Sequence, residues 1–505
     1  MESLNDTQWD VVISGTGLPQ SLLALALSRS GKKILHVDRN DYYGGDEAAL
    51  SLSEADEWAK KHASEPTDTT STFSHASIAQ APTDGEPGKG KLGHSRGYSL
   101  ALAPQLLHSK SSLLPALVSS KTNDQLEFQA VGSWFLVNTP PDGSASQAKL
   151  TRVPGGREDV FQDATLDLKA KRSLMKFLRF VVNYEEQGDT WEEYRDKPFS
   201  SLLEDKFGLV PASHPPILAL ALSTKSSTDT PSKFAVPRVA KYLTSIGVFG
   251  PGFGAVLPKW GGLAEIGQVA CRACAVGGGV YVLGKGISEV QQNDDSDMKI
   301  YLTDGEVVSS KWLAGVPQDL THSLSAIQSP EPDVWMTKSI SIVSSPLASL
   351  FPPTSEGGVT PAGAVIVVQP VDTAEPPVHV FAHSSESGEC PKDQCILYAS
   401  SARADAQGFG VLNHAVEALL QSVGESTEPQ VLWSMHYRQR YTSTHDAPST
   451  SDSVITLQSL SPDLAFDDGT LGNVRLAWQR ITDGDQEAFL KFEAREGTME
   501  DDELT

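Results

Sequence analysis

Val11-Val12-Ile13 runs into Gly15-Thr16-Gly17, and Asp38 closes a second apolar stretch 21 residues after Gly17. Two glycines between a strand and a helix let the backbone turn tightly and offer helix-end N–H groups to a phosphate. An acid about 20 residues further on can hold a ribose hydroxyl. This is the chemistry of a dinucleotide site on a βαβ unit. The third position of the G-x-G-x-x-G pattern, however, is Gln20. Glycine there lets helix and strand pack closely; glutamine puts a long polar side chain into that space or into the place of a phosphate. Gly15, Gly17 and Asp38 are therefore expected to persist as a vestigial turn that builds the fold, with Asp38 capping or pairing locally. No cofactor is expected.

Asp41-Tyr42-Tyr43-Gly44-Gly45 follows the second strand. Adjacent residues of a regular element point to opposite sides, so one tyrosine is expected in the core and one at the surface. An exposed tyrosine on a rigid loop suits protein contact, with large area, low entropy cost and one polar handle. Cys271-Arg-Ala-Cys274 has a spacing known from zinc sites, and Cys390 and Cys395 could form a second pair. Zinc pairs sit in turns, whereas GLAEIGQVACRACAV reads as a helix, so buried free thiols are expected and no metal. No Ser-His-Asp pattern, H-E-x-x-H or P-loop is present.

The elements that must position these residues follow from composition and periodicity. A chain of 505 residues suits two or three domains, and 39% hydrophobic residues suffice for a real core. A net charge of −24 speaks against nucleic acid as the main partner, because phosphate binding needs a basic surface, and is compatible with basic partner segments. Four cysteines in so long a chain imply a reducing compartment. MESLNDTQWD lacks the features of a secretory signal, no apolar run reaches the ~18 residues of a spanning helix, and DDELT is no lipidation box. A cytoplasmic protein is expected.

The fold class read from this is α/β with mixed α+β parts: a FAD/NAD(P)-binding-like large domain with a small all-α domain inserted. Residues 1–160 form the first part of the large domain, with a Ser/Thr/Pro/Gly-dense stretch at 61–95 expected to be a flexible insertion. LEFQAVGSWFLV alternates like a strand, with Leu126, Phe128, Ala130 and Gly132 on one side. Over 161–247 the period becomes helical, and Leu174, Phe177, Leu178 and Val181 share a face. Residues 248–481 return to strands as the second part of the large domain, with a last helix near Leu471 packing back on the first sheet. The acidic tail 482–505 is expected to be disordered.

Four blocks resemble the Rab escort protein and Rab GDP-dissociation inhibitor family. They are GTGLPQSLLALALSRSGKKILHVDRNDYYGG, RGYSLALAPQLLHSKSSLLPALVSSKTNDQLEFQAV, KAKRSLMKFLRFVVNYEE and VFGPGFGAVLPKWGGLAEIGQVACRACAVGGGVYVLG. The resemblance covers most of residues 8–284 and, more thinly, 335–480. It implies a GDI-like fold without FAD and a non-catalytic protein that offers a surface to GDP-bound Rab GTPases. By position that platform includes Tyr43, Glu265, Arg272 and Val282. Glu265 and Arg272, seven apart, share a helix face by spacing alone. Phe249-Gly250-Pro251-Gly252-Phe253 falls at the family's mobile, Rab-touching loop, and its glycines and proline suit an adaptable shape.

The resemblance further implies that a neighbouring surface of the large domain holds the Rab's C-terminal tail. It places a geranylgeranyl pocket among Leu174, Phe177, Leu178, Val181, Leu218 and Leu222, which residue by residue also read as ordinary core. An escort protein would dock the α/β heterodimer of Rab geranylgeranyltransferase through an aromatic and an arginine, for which Phe234 and Arg238 are the candidates. The insertion and the acidic tail favour the escort branch, and its phrasing a fungal one. A monomer, peripheral to membranes and touching them transiently, is then expected. A GDP-dissociation inhibitor that recycles prenylated Rabs and a flavin-dependent oxidoreductase are the alternatives.

Overall fold

The computed structural model describes residues 3–65, 71–81, 91–140, 144–154, 168–292, 297–320, 333–425, 427–441, 449–451, 453–484 and 486–493. The chain opens with β1 (Thr7–Ser14), α1 (Leu18–Leu27) and β2 (Ile34–Asp38), the βαβ unit expected from the glycine turn. It continues through α2 (Leu52–Lys61), β3 (Phe73–Gln80) and β4 (Phe128–Asn138). A helical stretch follows, built around α3 (Leu168–Val182), α4 (His214–Ala221) and α5 (Ser232–Ser245). Next come β5 (Ala255–Pro258), α6 (Leu263–Val276) and β6 (Val280–Leu283). Then follow β7 (Ile287–Gln292), β8 (Met298–Leu302), β9 (Val307–Gly315) and β10 (Val334–Val343). β11 (Gly363–Gln369), β12 (Val378–Ser384), β13 (Cys395–Ser401), α7 (Gly408–Ser422), β14 (Val431–Tyr441), β15 (Val454–Thr456) and α8 (Gly469–Thr482) complete the chain.

The first sheet has the order β6-β2-β1-β9-β8-β7, and its first four strands run parallel. A parallel sheet must be covered on both faces. α1 shows the consequence: all ten of its residues are buried, because it lies between the sheet, α6 and α8 in one apolar cluster. Val12, Leu35, Val37, Val282, Ile300 and Leu313 gather on the opposite face.

The second sheet runs β3-β14-β10-β13-β12-β11-β4-β5 and ends in a two-residue strand at Leu107–His108. One face shares a single core with the helical stretch, where Val131 and Trp134 of β4 join Phe177, Phe199 and Val236. α7 covers the other face. Leu126, just before β4, and Phe128 and Ala130 within it share one side, as their alternation predicts, and pack against the core around α1.

Two expectations change. The 61–95 stretch is not wholly a loop: Phe73–Gln80 pairs antiparallel with β14 as the edge strand of the second sheet. Its backbone N–H and C=O groups do the pairing, and Ser, His and Ala side chains carry no apolar alternation to announce it. The tail also begins later than 482. Phe489 and Leu490 are buried, Phe489 meets the Trp478 ring at 5.7 Å, and the Arg29 guanidinium lies 4.5 Å over the Phe492 ring. Three apolar residues within an acidic segment suffice to seat it. The expectations for 66–70, 82–90, 155–167 and 494–505, which include the proposed boundary near 160 and the far tail, fall outside the described residues.

Candidate functional site

The glycine turn is filled from within. Gly15 has φ +86°, and a Cβ there would stand 2.1 Å from Asp319 Oδ2; one at Gly17 would stand 2.8 Å from Glu47 Oε2. The space the glycines would leave to a phosphate therefore holds the chain's own carboxylates. Glu47 Oε2 accepts the Leu18 N–H at 2.9 Å, the kind of helix-end donor that a phosphate uses. Asp38 Oδ2 accepts from the Thr16 N–H at 2.7 Å and the Thr16 hydroxyl at 2.6 Å. Gln20 acts as a clamp: its amide donates to Asp319 Oδ2 at 2.9 Å and to the Ser14 carbonyl at 3.3 Å.

Electrostatics agree with that filling. Burial pushes Glu47 and Asp319 up to about 8, and raises Asp38 and Asp46 as well. Arg39, 3.7 Å from Asp319, is the paired cation, while burial pulls Lys338 down to about 7. A flavin or nicotinamide diphosphate would add negative charge where four carboxyl groups already meet. These residues do not fit such a cofactor.

The loop that delivers Glu47 inward also faces outward. The Gly44 N–H donates to Thr16 Oγ1 at 2.9 Å, which ties the loop to the turn. Tyr42 packs on the core of the second sheet, and Tyr43 is half-buried at the surface. The Tyr43 ring lies 6.3 Å from that of Tyr281, which lies 4.7 Å from the His36 ring. Burial pulls His36 down to about 4; the neutral ring donates through Nε2 to the Gly15 carbonyl at 2.5 Å. Three rings thus run from the turn to the surface.

α6 lies alongside. Its inner face carries Cys271 and Cys274, both buried as free thiols; Cys271 Sγ is 3.3 Å from Ser21 Oγ of α1. Burial pushes the Cys271 thiol up to about 11, which makes it a poor nucleophile or metal ligand. The outer face presents Arg272, exposed, and Glu265, half-buried. Burial raises the Glu265 carboxyl and the Arg272 charge opposes that rise, so the two sense each other as the helical spacing predicts. Val276, exposed at the end of α6 and four residues from Arg272, extends the patch.

Val282 does not belong to this surface. It is 2% exposed and lies among the core residues on the far face of the first sheet. The correction follows from the alternation of β6: with Val282 inward, Tyr281 is the strand residue that turns toward α6. Sequence reasoning missed Tyr281, His36 and Glu47. Alternation in VYVL could have marked the first; the other two become visible only when the turn is assembled.

The remaining candidates divide between surface and core. In the 249–253 loop Phe249 is 56% exposed, whereas Phe253 enters the core around α1. Gly252 has φ +81°, and a Cβ there would stand 1.8 Å from the Thr354 carbonyl oxygen, so only glycine fits. The Arg238 guanidinium stacks 3.6 Å over the Phe234 ring and reaches Asp463 at 2.6 Å. With Lys241–Asp468 at 2.7 Å it ties α5 to the segment before α8. Phe177, Val181 and Leu222 are buried, and Leu174, Leu178 and Leu218 pack partly buried against the same core.

Fold and site together define a flavoprotein-like architecture whose phosphate cradle is closed by its own acids, beside an aromatic and charged surface. Solved structures agree on the fold. The Rab GDI of Plasmodium falciparum superposes with a TM-score of 0.65 at 21% identity, over 94% of this chain and 98% of that one. A putrescine oxidase superposes with a TM-score of 0.54 at 14% identity, over 95% and 99%. The chain matches the GDP dissociation inhibitor family over residues 5–428 and belongs to it. It is 30% identical over 420 residues to a Saccharomyces cerevisiae relative named Rab proteins geranylgeranyltransferase component A, covering 81% of this chain and 64% of the relative. The Candida albicans protein of that name is 28% identical over 447 residues, covering 84% and 64%. Guanosine nucleotide diphosphate dissociation inhibitor 1 of Arabidopsis thaliana is 27% identical over 401 residues, covering 78% and 80%. The chain thus spans 64% of the length of the two yeast relatives.

Proposed function

We propose that the chain is a Rab escort protein. It binds unprenylated, GDP-bound Rab GTPases, presents them to the Rab geranylgeranyltransferase heterodimer for prenylation of their C-terminal cysteines, and delivers the lipidated Rab to membranes. The observation that carries this reading is the cradle closed by Glu47 and Asp319, joined through one loop to the surface ring of Tyr43, with Glu265 and Arg272 on the helix packed alongside. The fold has lost the site for its chemistry and kept a shaped exterior, as a non-catalytic accessory component requires.

In this reading Tyr43 and Arg272 are the contact anchors, a large ring and a planar cation being strong at interfaces. Phe249, exposed on its own loop, is a further contact candidate. The stacked Phe234–Arg238 pair is the docking candidate for the transferase. The geranylgeranyl chain enters by opening the core around Leu174, Phe177, Leu178, Val181, Leu218 and Leu222, with burial contributing about 0.8 kcal/mol per CH₂. The protein works in the cytoplasm, at the periphery of membranes.

A prenylation assay with purified transferase and a Rab tests the reading. Lipid transfer is expected to depend on this protein; equal transfer in its absence overturns the proposal. The second reading, a GDP-dissociation inhibitor, draws support from the Arabidopsis relative, of which the chain covers 80%. It expects extraction of prenylated Rab from membranes without support of prenylation, so the same preparation separates the two.

A further inference from the structure

α3 has two faces. Phe177 and Val181 enter the core, with Leu174 and Leu178 against it, while Leu168, Arg172, Met175 and Arg179 recur at helical spacing on the other side. That side borders a groove of about 880 Å³. Lys171, Arg172, Lys176, Arg179 and Lys206 line it with positive charge, and Leu168, Met175, Phe180 and Phe207 supply apolar wall. Leu168, at one end, is 77% exposed.

The charge is out of keeping with the rest of the molecule. The chain has 64 acidic and 40 basic residues, yet α3 reads LKAKRSLMKFLRFVV, with no acid among its 15 residues. The Lys176 ammonium donates to the Lys206 carbonyl at 3.1 Å and lies 5.5 Å from the Phe207 ring. Those contacts hold its position without neutralising it. Glu204 and Asp205, beside Lys206 in the chain, are exposed and do not line the groove.

A free phosphate would need the cations but not the apolar wall, and a neutral hydrocarbon the reverse. Both together match an anionic amphiphile at an interface, where cations meet headgroup phosphates and apolar side chains reach the acyl boundary. An anionic bilayer would repel a chain of net charge −24 as a whole, and a local reversal of field such as this one gives it a place to dock. We propose that this groove docks the protein on the surface of anionic phospholipid membranes. The inference supplies a place for the membrane contact of an escort protein, but its test needs no Rab and stands or fails apart from that reading.

The test is co-flotation of the full chain with phosphatidylcholine vesicles, with and without phosphatidylserine. Binding is expected to rise at least about tenfold with phosphatidylserine and to weaken as salt is added. Arg172→Glu with Arg179→Glu should lower vesicle affinity at least about tenfold, and the milder Arg172→Gln with Arg179→Gln by an intermediate factor, both at unchanged melting temperature. Binding that ignores phosphatidylserine, or variants that bind like the parent, overturns the proposal. Inorganic diphosphate that stabilises the parent but not the variants, with no vesicle binding, assigns the groove to a soluble anion and overturns it equally.

Discussion

The glycine turn and the Tyr43 surface are joined by one loop, and they treat charge in opposite ways. At the turn, Asp38, Asp46, Glu47 and Asp319 are drawn together in the interior, and burial raises all four carboxyl groups. At the surface, Arg272 is exposed and Glu265 partly so. Side chains that fill a cradle can be neutralised by protonation and by backbone donors; side chains that meet another protein must stay available. The loop from Asp38 to Glu47 serves both ends, and its inward acid anchors the outward ring.

The largest expected effect breaks the inward half. Folding raises Glu47 from 4.5 to about 8, so between those values the folded chain holds a proton that the unfolded chain gives up. Stability therefore falls as pH rises through that window and levels off above it. Glu47→Gln keeps an acceptor for the Leu18 N–H and removes the titration. Between about pH 5 and pH 8 it should gain on the parent by roughly 2–4 kcal/mol, read from urea unfolding at stepped pH. Parallel pH profiles for the two proteins would refute the buried ionisable acid.

The outward half responds differently. Arg272→Ala and Tyr43→Ala should each weaken Rab binding by about 1–3 kcal/mol, measured by titration calorimetry. The melting temperature of the Arg272 variant should not move; unfolding of that variant would make Arg272 a structural residue. Val282→Ala sharpens the contrast, with a stability loss of about 1–2 kcal/mol from the truncated core and unchanged Rab affinity. A loss of affinity there would return Val282 to the platform. The smallest effect is expected at Phe249→Ser, within about 0.5 kcal/mol in stability because the ring is already in solvent.

Much of the fold was legible because it rests on local signals. The βαβ unit follows from an apolar run, a glycine turn and helical spacing, and the α6 face from the separation of Glu265 and Arg272. The edge strand Phe73–Gln80 was not legible, because its partner β14 begins more than 300 residues later and supplies the pairing through backbone atoms. Val282 came to the platform from the family resemblance alone, while its inward side is set by the far-face core of the first sheet into which β6 packs. Tyr42 and Tyr43 were expected to split between core and surface, and the neighbours that divide them, the second-sheet core and Tyr281, come from distant segments.

The sequence by itself determined that a glycine turn would build a nucleotide-type fold and that Gln20 departed from the pattern, since both are properties of adjacent residues. It determined the two faces of α3 and α6 in the same way, through helical periodicity. Only the tertiary structure decided what took the place of the phosphate. Glu47 and Asp319 stand 29 and 301 residues from Leu18, and they meet at the turn because the sheet brings β2 and the end of β9 to either side of β1. A carboxyl group can take the place of a phosphate only where backbone donors and burial are assembled around it, and that assembly belongs to packing across the sheet rather than to any stretch of the chain.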